Sequence, residues 1–270
     1  VILTSSGTAA IHLSLLTSGI QTNDEVLMPN LNYIASANAT IYCKAIPHLI
    51  DVRDHDLAVD PLKLNTYLKK ALLIKKNYSI NKKTGRIVRC LICLHTFGHA
   101  AEIDKIKNLC SKFKIILIED AAEALGTYYK NKHVGTFGNS GILSFNGNKI
   151  ITTGGGGALI TNNKNVSDKA KHLSQISKIK HKFLYQYSEL GYNYKLPNIN
   201  CALGLAQIRN IRKILKMKRN NYYIYKVLFK NFSFFKLFTE PKNSKSNYWL
   251  QTIILNSPDL KIRNKILNLT

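Results

Sequence analysis

Long hydrophobic runs are missing from this sequence of 270 residues: nowhere do roughly 18 apolar residues pass without a charge, so no membrane-spanning helix is expected. The first residues also lack the basic-then-apolar layout of a signal peptide, and the expected address is cytoplasmic. Cysteine is sparse and unpatterned. Cys43, Cys90, Cys93, Cys110 and Cys201 form an odd set without the spacing of a disulfide framework, which suits a reducing compartment. Cys90 and Cys93 make a single C-x-x-C inside the apolar run 87–94. With no second pair to complete a zinc site, it reads as a buried strand with small hydrophobic side chains. Acidic residues are few as well, 15 against 39 Lys and Arg, for a formal charge of +24. A charge of that size raises nucleic acid or an anionic membrane as partners. The cations are mostly lysines spread over the whole length among Asn and Ile, however, and the group Lys213, Lys216, Lys218 and Arg219 falls on an expected helix as a solvated face. Neither nucleic acid nor membrane is therefore expected as a partner, whereas an anionic substrate would profit from the field.

What is present is an ordinary globular composition, 45% hydrophobic, enough for one large or two smaller units at about 150 residues per domain. Short β-like runs at 25–28, 46–50, 87–94, 115–118, 141–145 and 158–161 alternate with amphipathic stretches at 8–18, 35–42, 61–72, 102–113 and 165–179. That alternation predicts an α/β fold with a mostly parallel sheet. The polar, basic segment 75–86 reads as an exposed excursion. Residues 198–229 read as one long helix with its N-cap at Asn198, linking a large unit over 1–197 to an incomplete smaller one over 230–270. The chain opens on Val1 and stops among strand-like and helix-like fragments, so it is expected to be a piece cut at both ends.

Three stretches carry chemistry. In SFNGNKIITTGGGG a strand ends in a polar loop holding Lys149, followed by Gly154 to Gly157. A lysine that must form an imine needs neighbours that depress its ordinary pKa of about 10.4, and glycines let a cofactor come close. Glycine-rich hairpins between strands are common, so this stretch alone is a weak signal. In IILIEDAAEALG an apolar strand runs into Glu119 and Asp120 at its carboxyl end, the edge where open α/β sheets bind ligands. An aspartate there either faces a cationic ring nitrogen or caps the next segment. In SSGTAAIHLSLL, Gly7 and Thr8 open a helix whose free amides suit a phosphate, with plain capping by Ser6 or Thr8 as the competing explanation. His95, in LHTFGHAAEID, follows a strand and stands either in the site or as a structural histidine; His99 reads as loop.

In this order the three stretches resemble the fold-type I pyridoxal-phosphate enzymes, and specifically the DegT/DnrJ/EryC1/StrS nucleotide-sugar aminotransferases, over nearly the whole chain. The resemblance implies an aspartate-aminotransferase-like α/β domain holding pyridoxal 5'-phosphate. It places the Schiff-base lysine at Lys149, the cofactor phosphate on Ser144, Gly7 and Thr8, and the ring nitrogen on Asp120. The segment PNLNYIASANA gives Tyr33 as the aromatic that stacks on the ring. In GYNYKLPNINCALGLAQI, Asn193 would reach the phosphate of a neighbouring subunit's cofactor, which implies a homodimer with shared active sites. Two positions depart from the family pattern. Glu123 stands where a Gln often contacts the cofactor's phenolic oxygen, so its carboxylate must be protonated, turned away or bridged. TTGGGG stands where TTGEGG is common. The implied activity moves an amino group from glutamate to a nucleotide-linked keto sugar. NGNKIITTGGGG with EDAAEALG is most similar to the branch acting at C4 of UDP-linked 4-keto-6-deoxy-N-acetylhexosamines. The alternatives are a C3-aminotransferase, a dehydratase of the same fold, or a cofactor-binding regulatory homologue. The dehydratases replace the lysine with His, so Lys149 disfavours that reading.

Overall fold

Apolar strands alternating with amphipathic helices fold, in a computed structural model that describes residues 1–269, into a nine-stranded sheet covered on both faces. The elements that build it are β1 (Ile2–Thr4), α1 (Gly7–Thr17), β2 (Glu25–Pro29), α2 (Ala35–Tyr42), β3 (Ile46–Ile50), α3 (Pro61–Ala71), β4 (Leu72–Ile74), β5 (Ser79–Asn81), β6 (Ile87–Leu94), α4 (Ile103–Lys112) and β7 (Ile116–Asp120). After a small hairpin of β8 (Tyr128–Tyr129) and β9 (Lys132–His133) come β10 (Ser140–Ser144), β11 (Gly157–Ile160) and α5 (Lys164–Ser174).

Strands β3, β2, β6, β7 and β10 lie side by side in that order and run parallel. β11 returns antiparallel beside β10, and β1 closes that edge. The fold is thus the expected α/β arrangement with a mostly parallel sheet. Because parallel strands are buried on both faces, they read as unbroken apolar runs rather than as alternation. In β6, Val88, Leu91 and Cys93 pack into one core with α3 and α4, while Cys90 and Ile92 pack into the other with α1, α2 and α5. Cys90 and Cys93 therefore serve opposite cores, and burial holds both thiols above their ordinary pKa. No group of side chains suited to a metal ion occurs among the described residues.

Tertiary context overrides the expected boundaries in four places. The segment expected as an exposed excursion carries β5, where Asn81 donates to buried Glu25 at 2.9 Å and the Ser79 hydroxyl donates to the Phe113 carbonyl. These partners let Ser79 and Asn81 be buried despite their polarity. The helix expected over 165–179 ends at Ser174, because Ile176 and Ser177 take positive φ (58° and 52°) and turn the chain into the hairpin β12 (Lys178–Ile179) and β13 (Gln186–Tyr187). The expected long helix is two, α6 (Asn198–Arg209) and α7 (Ile211–Leu228), interrupted at Asn210, whose side chain donates to the Ala206 carbonyl at 3.1 Å and competes with the helical ladder. Pro197 rather than Asn198 takes the N-cap position of α6, with no side-chain cap bond. Beyond α7 the chain forms β14 (Phe235–Leu237), β15 (Ser244–Lys245), β16 (Ile253–Leu255) and α8 (Leu260–Leu269). β14 pairs with β16, and β15 adds to the β8–β9 hairpin.

Candidate active site

Parallel strands deliver their carboxyl ends to one edge of the sheet, and loops leaving that edge converge on whatever binds there. Leu94 ends β6, Asp120 ends β7, Ser144 ends β10, and Tyr33 follows β2; all four line one cavity of about 400 Å³. Gly7, Thr8, Glu123, Lys149, Gly155 and Gly156 line it too.

The start of α1 is built for an anion. Ser6 takes an extended conformation and accepts from the Ala9 amide at 3.0 Å, while the Gly7 and Thr8 amides are first-turn donors without intrahelical acceptors. A Cβ at Gly7 would sit 3.2 Å from the Ser144 Cβ, so the helix start and the end of β10 are in contact. Ser6, one of the two capping candidates, makes the cap, which leaves Thr8 free to face the cavity.

Lys149 follows a turn in which its amide donates to the Asn146 carbonyl at 3.0 Å. Its side chain is 14% exposed, and its Nζ lies 3.8 Å from Glu123 Oε1 and 3.9 Å from the centroid of the Trp249 ring. Burial pushes this amine below the usual lysine value, and Glu123 and Asp120 pull it part of the way back. Asp120 accepts from the Ala122 amide at 3.0 Å and the Ser36 hydroxyl at 3.4 Å. Burial raises its pKa against the lowering effects of those bonds and of Lys149. Such a carboxyl lacks a full countercharge, and a protonated ring nitrogen would supply one. Glu123 is not turned away. Its Oε2 accepts from the Phe97 amide at 2.7 Å, burial raises its pKa, and Lys149 bridges toward its other oxygen. The Phe97 amide is aimed by a left-handed backbone, φ 53°, in the loop after β6.

The residues present fit pyridoxal phosphate: backbone amides and a hydroxyl for the phosphate, a carboxyl for the ring nitrogen, and a partly desolvated primary amine, all on one cavity. The chain belongs to the DegT/DnrJ/EryC1/StrS aminotransferase family. That family matches residues 1–269. The chain is 35% identical over 256 residues to the GDP-perosamine synthase of Escherichia coli O157:H7, covering 94% of this chain and 65% of that protein. It is 34% identical over 252 residues to the UDP-4-amino-4,6-dideoxy-N-acetyl-beta-L-altrosamine transaminase of Campylobacter jejuni subsp. jejuni (strain 81-176), covering 93% of this chain and 63% of that one. The chain thus spans under two thirds of these curated relatives. Among solved structures, Helicobacter pylori PseC shares the fold with a TM-score of 0.86 at 24% identity, over 99% of this chain and 68% of that one. The cofactor of this family member is pyridoxal 5'-phosphate, and the fold is the fold-type I arrangement that the sequence predicts.

Of the residues singled out in the sequence, Gly7, Thr8, Tyr33, Asp120, Glu123, Ser144 and Lys149 come together on the cavity. Tyr33 is 68% exposed there. Asn193 lies elsewhere, beside Lys171, Lys178, Lys180 and Lys195 in a separate basic cleft, and is bridged to Gln175. His95 is structural. Its Nδ1 accepts from the Ala101 amide at 3.2 Å, which leaves Nε2 as the donor to Glu119 Oε2 at 3.1 Å, in a fully buried pair. His99 is buried rather than a solvated loop residue, and its Nδ1 pairs with the Ser246 hydroxyl at 2.9 Å. Sequence reading missed Ser36 and Trp249. Ser36 lies in the quoted segment PNLNYIASANA, three residues after Tyr33, whereas Trp249 sits in no local pattern and is distant in sequence from the lysine it covers; being the sole tryptophan of these residues is its one signal.

Proposed function

We propose that this chain is the cofactor-binding part of an aminotransferase that moves an amino group from glutamate to a nucleotide-linked 4-keto-6-deoxy sugar. The observation that carries this reading is the Lys149 amine held at a cavity shared with Asp120 and the start of α1. Lys149 would hold the cofactor covalently and, when released, its Nζ would take up and return the proton at the reacting carbon of donor or acceptor, its burial keeping a neutral fraction available. Asp120 holds positive charge on the cofactor ring. Gly7, Thr8 and Ser144 hold the phosphate, and Tyr33 covers the ring. When bound, pyridoxal 5'-phosphate supplies a carbonyl carbon that links to amines and a ring that withdraws electrons from them.

For the acceptor, a UDP-linked N-acetylhexosamine aminated at C4 is the first candidate. It is supported by sequence likeness to the Campylobacter transaminase, and the likeness to GDP-perosamine synthases makes a GDP-linked keto sugar its direct competitor. The reading further includes a homodimer in which Asn193 serves the neighbouring active site, a cytoplasmic address, and a large unit over 1–197 joined through α6 and α7 to a smaller one. In the complete protein, glutamate alone should convert the cofactor spectrum in a half-reaction, and the UDP- or GDP-linked sugar that reverses it names the acceptor. Lys149→Ala should abolish the imine absorbance and at least 10³-fold of turnover, given the roughly 10²–10⁴-fold worth of a positioned acid–base group alone. A yellow, active variant would defeat the assignment.

A further inference from the structure

We infer that Trp249 is a positioning residue for Lys149, its indole face capping the amine inside the cavity while its ring nitrogen fixes the backbone beside it. The inference rests on the reading of Lys149 as the cofactor-binding lysine. Trp249 is 6% exposed and lines the cavity. Its ring centroid lies 3.9 Å from Lys149 Nζ, and its Nε1 donates to the carbonyl of Asn148, the preceding residue, at 2.7 Å. One side chain thus holds both the head of the lysine and the peptide that carries it.

The bracket is secured from behind. Trp249 donates its amide to Asn247 Oδ1 at 2.8 Å, and Asn247 Nδ2 donates to the Glu123 carbonyl at 2.8 Å and the Leu125 carbonyl at 3.0 Å. The Asn247 amide donates to Thr127 Oγ1 at 3.0 Å, and Lys218 Nζ donates to the Trp249 carbonyl at 3.0 Å. Gly98 is glycine for the same docking: a Cβ there would lie 1.9 Å from Asn247 Oδ1. Segment 247–249 therefore clamps the loop of Glu123 and the loop of Lys149 together.

An indole face attracts a cation, so Trp249 favours the charged amine and opposes the effect of burial. The other ionisable groups on this cavity are Asp120 and Glu123, which act in the same sense, and Tyr33. Removing the face leaves burial less opposed. Neutral, reactive Lys149 is then present at lower pH.

Two measurements on the complete, cofactor-depleted protein test this. The rate of imine formation with added pyridoxal 5'-phosphate is followed by absorbance against pH, and the emission of Trp249, with any tryptophan outside these 270 residues replaced by phenylalanine, is followed in the same mixing. In the wild type, emission should be quenched in step with the rise of the imine band. Trp249→Leu should move the pH midpoint of imine formation down by about half a unit, and Trp249→Phe, which keeps a weaker face, by less. A Leu variant that folds, by circular dichroism, yet superimposes on the wild-type profile overturns the inference. So does wild-type emission that ignores cofactor binding, a result that stands even where the Leu variant does not fold. An absent imine band in the wild type defeats the reading of Lys149 itself, and the inference with it.

Discussion

A lysine placed in a nearly dry cavity is pulled toward neutrality by burial and back toward charge by every anion and π-face near it. At Lys149 the opposing groups are Glu123 at 3.8 Å, Asp120 and the Trp249 ring. Glu123 is the informative one, since its identity differs from the Gln that the family resemblance leads one to expect. Glu123→Gln keeps a carbonyl oxygen for the Phe97 amide but removes the charge facing the amine. The Lys149 pKa should then fall further, and the pH profile of imine formation should shift to lower pH without loss of folded protein. An unchanged profile would show that Glu123 is neutral at the working pH and acts only as a hydrogen-bond partner. The candidate Glu123 was legible in the sequence as a departure from a pattern. Its environment was not, because the Phe97 amide and the Asn247 side chain reach it from remote parts of the chain.

Among the elements, the glycine run before β11 divides into positions that the backbone demands and positions that it does not. Gly156 has φ 155°, and a Cβ there would lie 2.4 Å from Thr153 Oγ1 and 3.0 Å from Leu196 Cδ1; at Gly155 nothing lies within 4 Å. Gly156→Ala should lower stability by roughly 1–3 kcal/mol, whereas Gly155→Ala should leave the melting temperature near that of the wild type. Thermal denaturation of the pair checks both. At the end of β7, Glu119 fastens the strand to the loop over 135–138 by accepting from the Gly135, Phe137 and Gly138 amides at 2.6–2.8 Å, with His95 as a fourth donor. Burial alone would raise this carboxyl, but the bonds from His95 and the backbone outweigh it and hold its pKa below the ordinary 4.5. Its stabilisation is therefore present above pH 4.5 and is lost as pH falls through the lower, folded-state value. Glu119→Gln should lower stability at neutral pH by roughly 2–4 kcal/mol, by turning an amide NH₂ toward N–H donors, and should flatten the acid limb of the stability curve. An acid limb as steep as that of the wild type would place that sensitivity elsewhere. Strand and helix existence was readable here from apolar runs and spacing. The boundaries that moved did so where side chains found remote partners, as Asn81 found Glu25, or where Asn210 competed with its own helix.

For the whole molecule, the separation of Asn193 from the cavity is the feature with the largest consequence. In the proposed homodimer, a subunit that lends Asn193 to its neighbour would leave each active site incomplete alone. Mixed, refolded Lys149→Ala and Asn193→Ala proteins should then regain about a quarter of wild-type activity, since random pairing makes half the dimers mixed and each mixed dimer carries one intact site. No recovery in a mixture shown by light scattering to contain dimers would remove Asn193 from the shared site. α6 has no buried residue, and Ile199, Leu203, Leu205 and Ile208 on it are exposed, which is the surface character such pairing requires.

The sequence by itself determined the alternation of strand and helix, the placement of Asp120 and Ser144 at strand ends, and the lysine loop, because these follow from short-range patterns of apolar residues, glycines and caps. Only the tertiary structure decided that Trp249 covers Lys149, that His95 serves Glu119, and that Ser79 and Asn81 are buried. Those outcomes depend on which remote polar and aromatic groups meet in space, and no local spacing encodes that meeting.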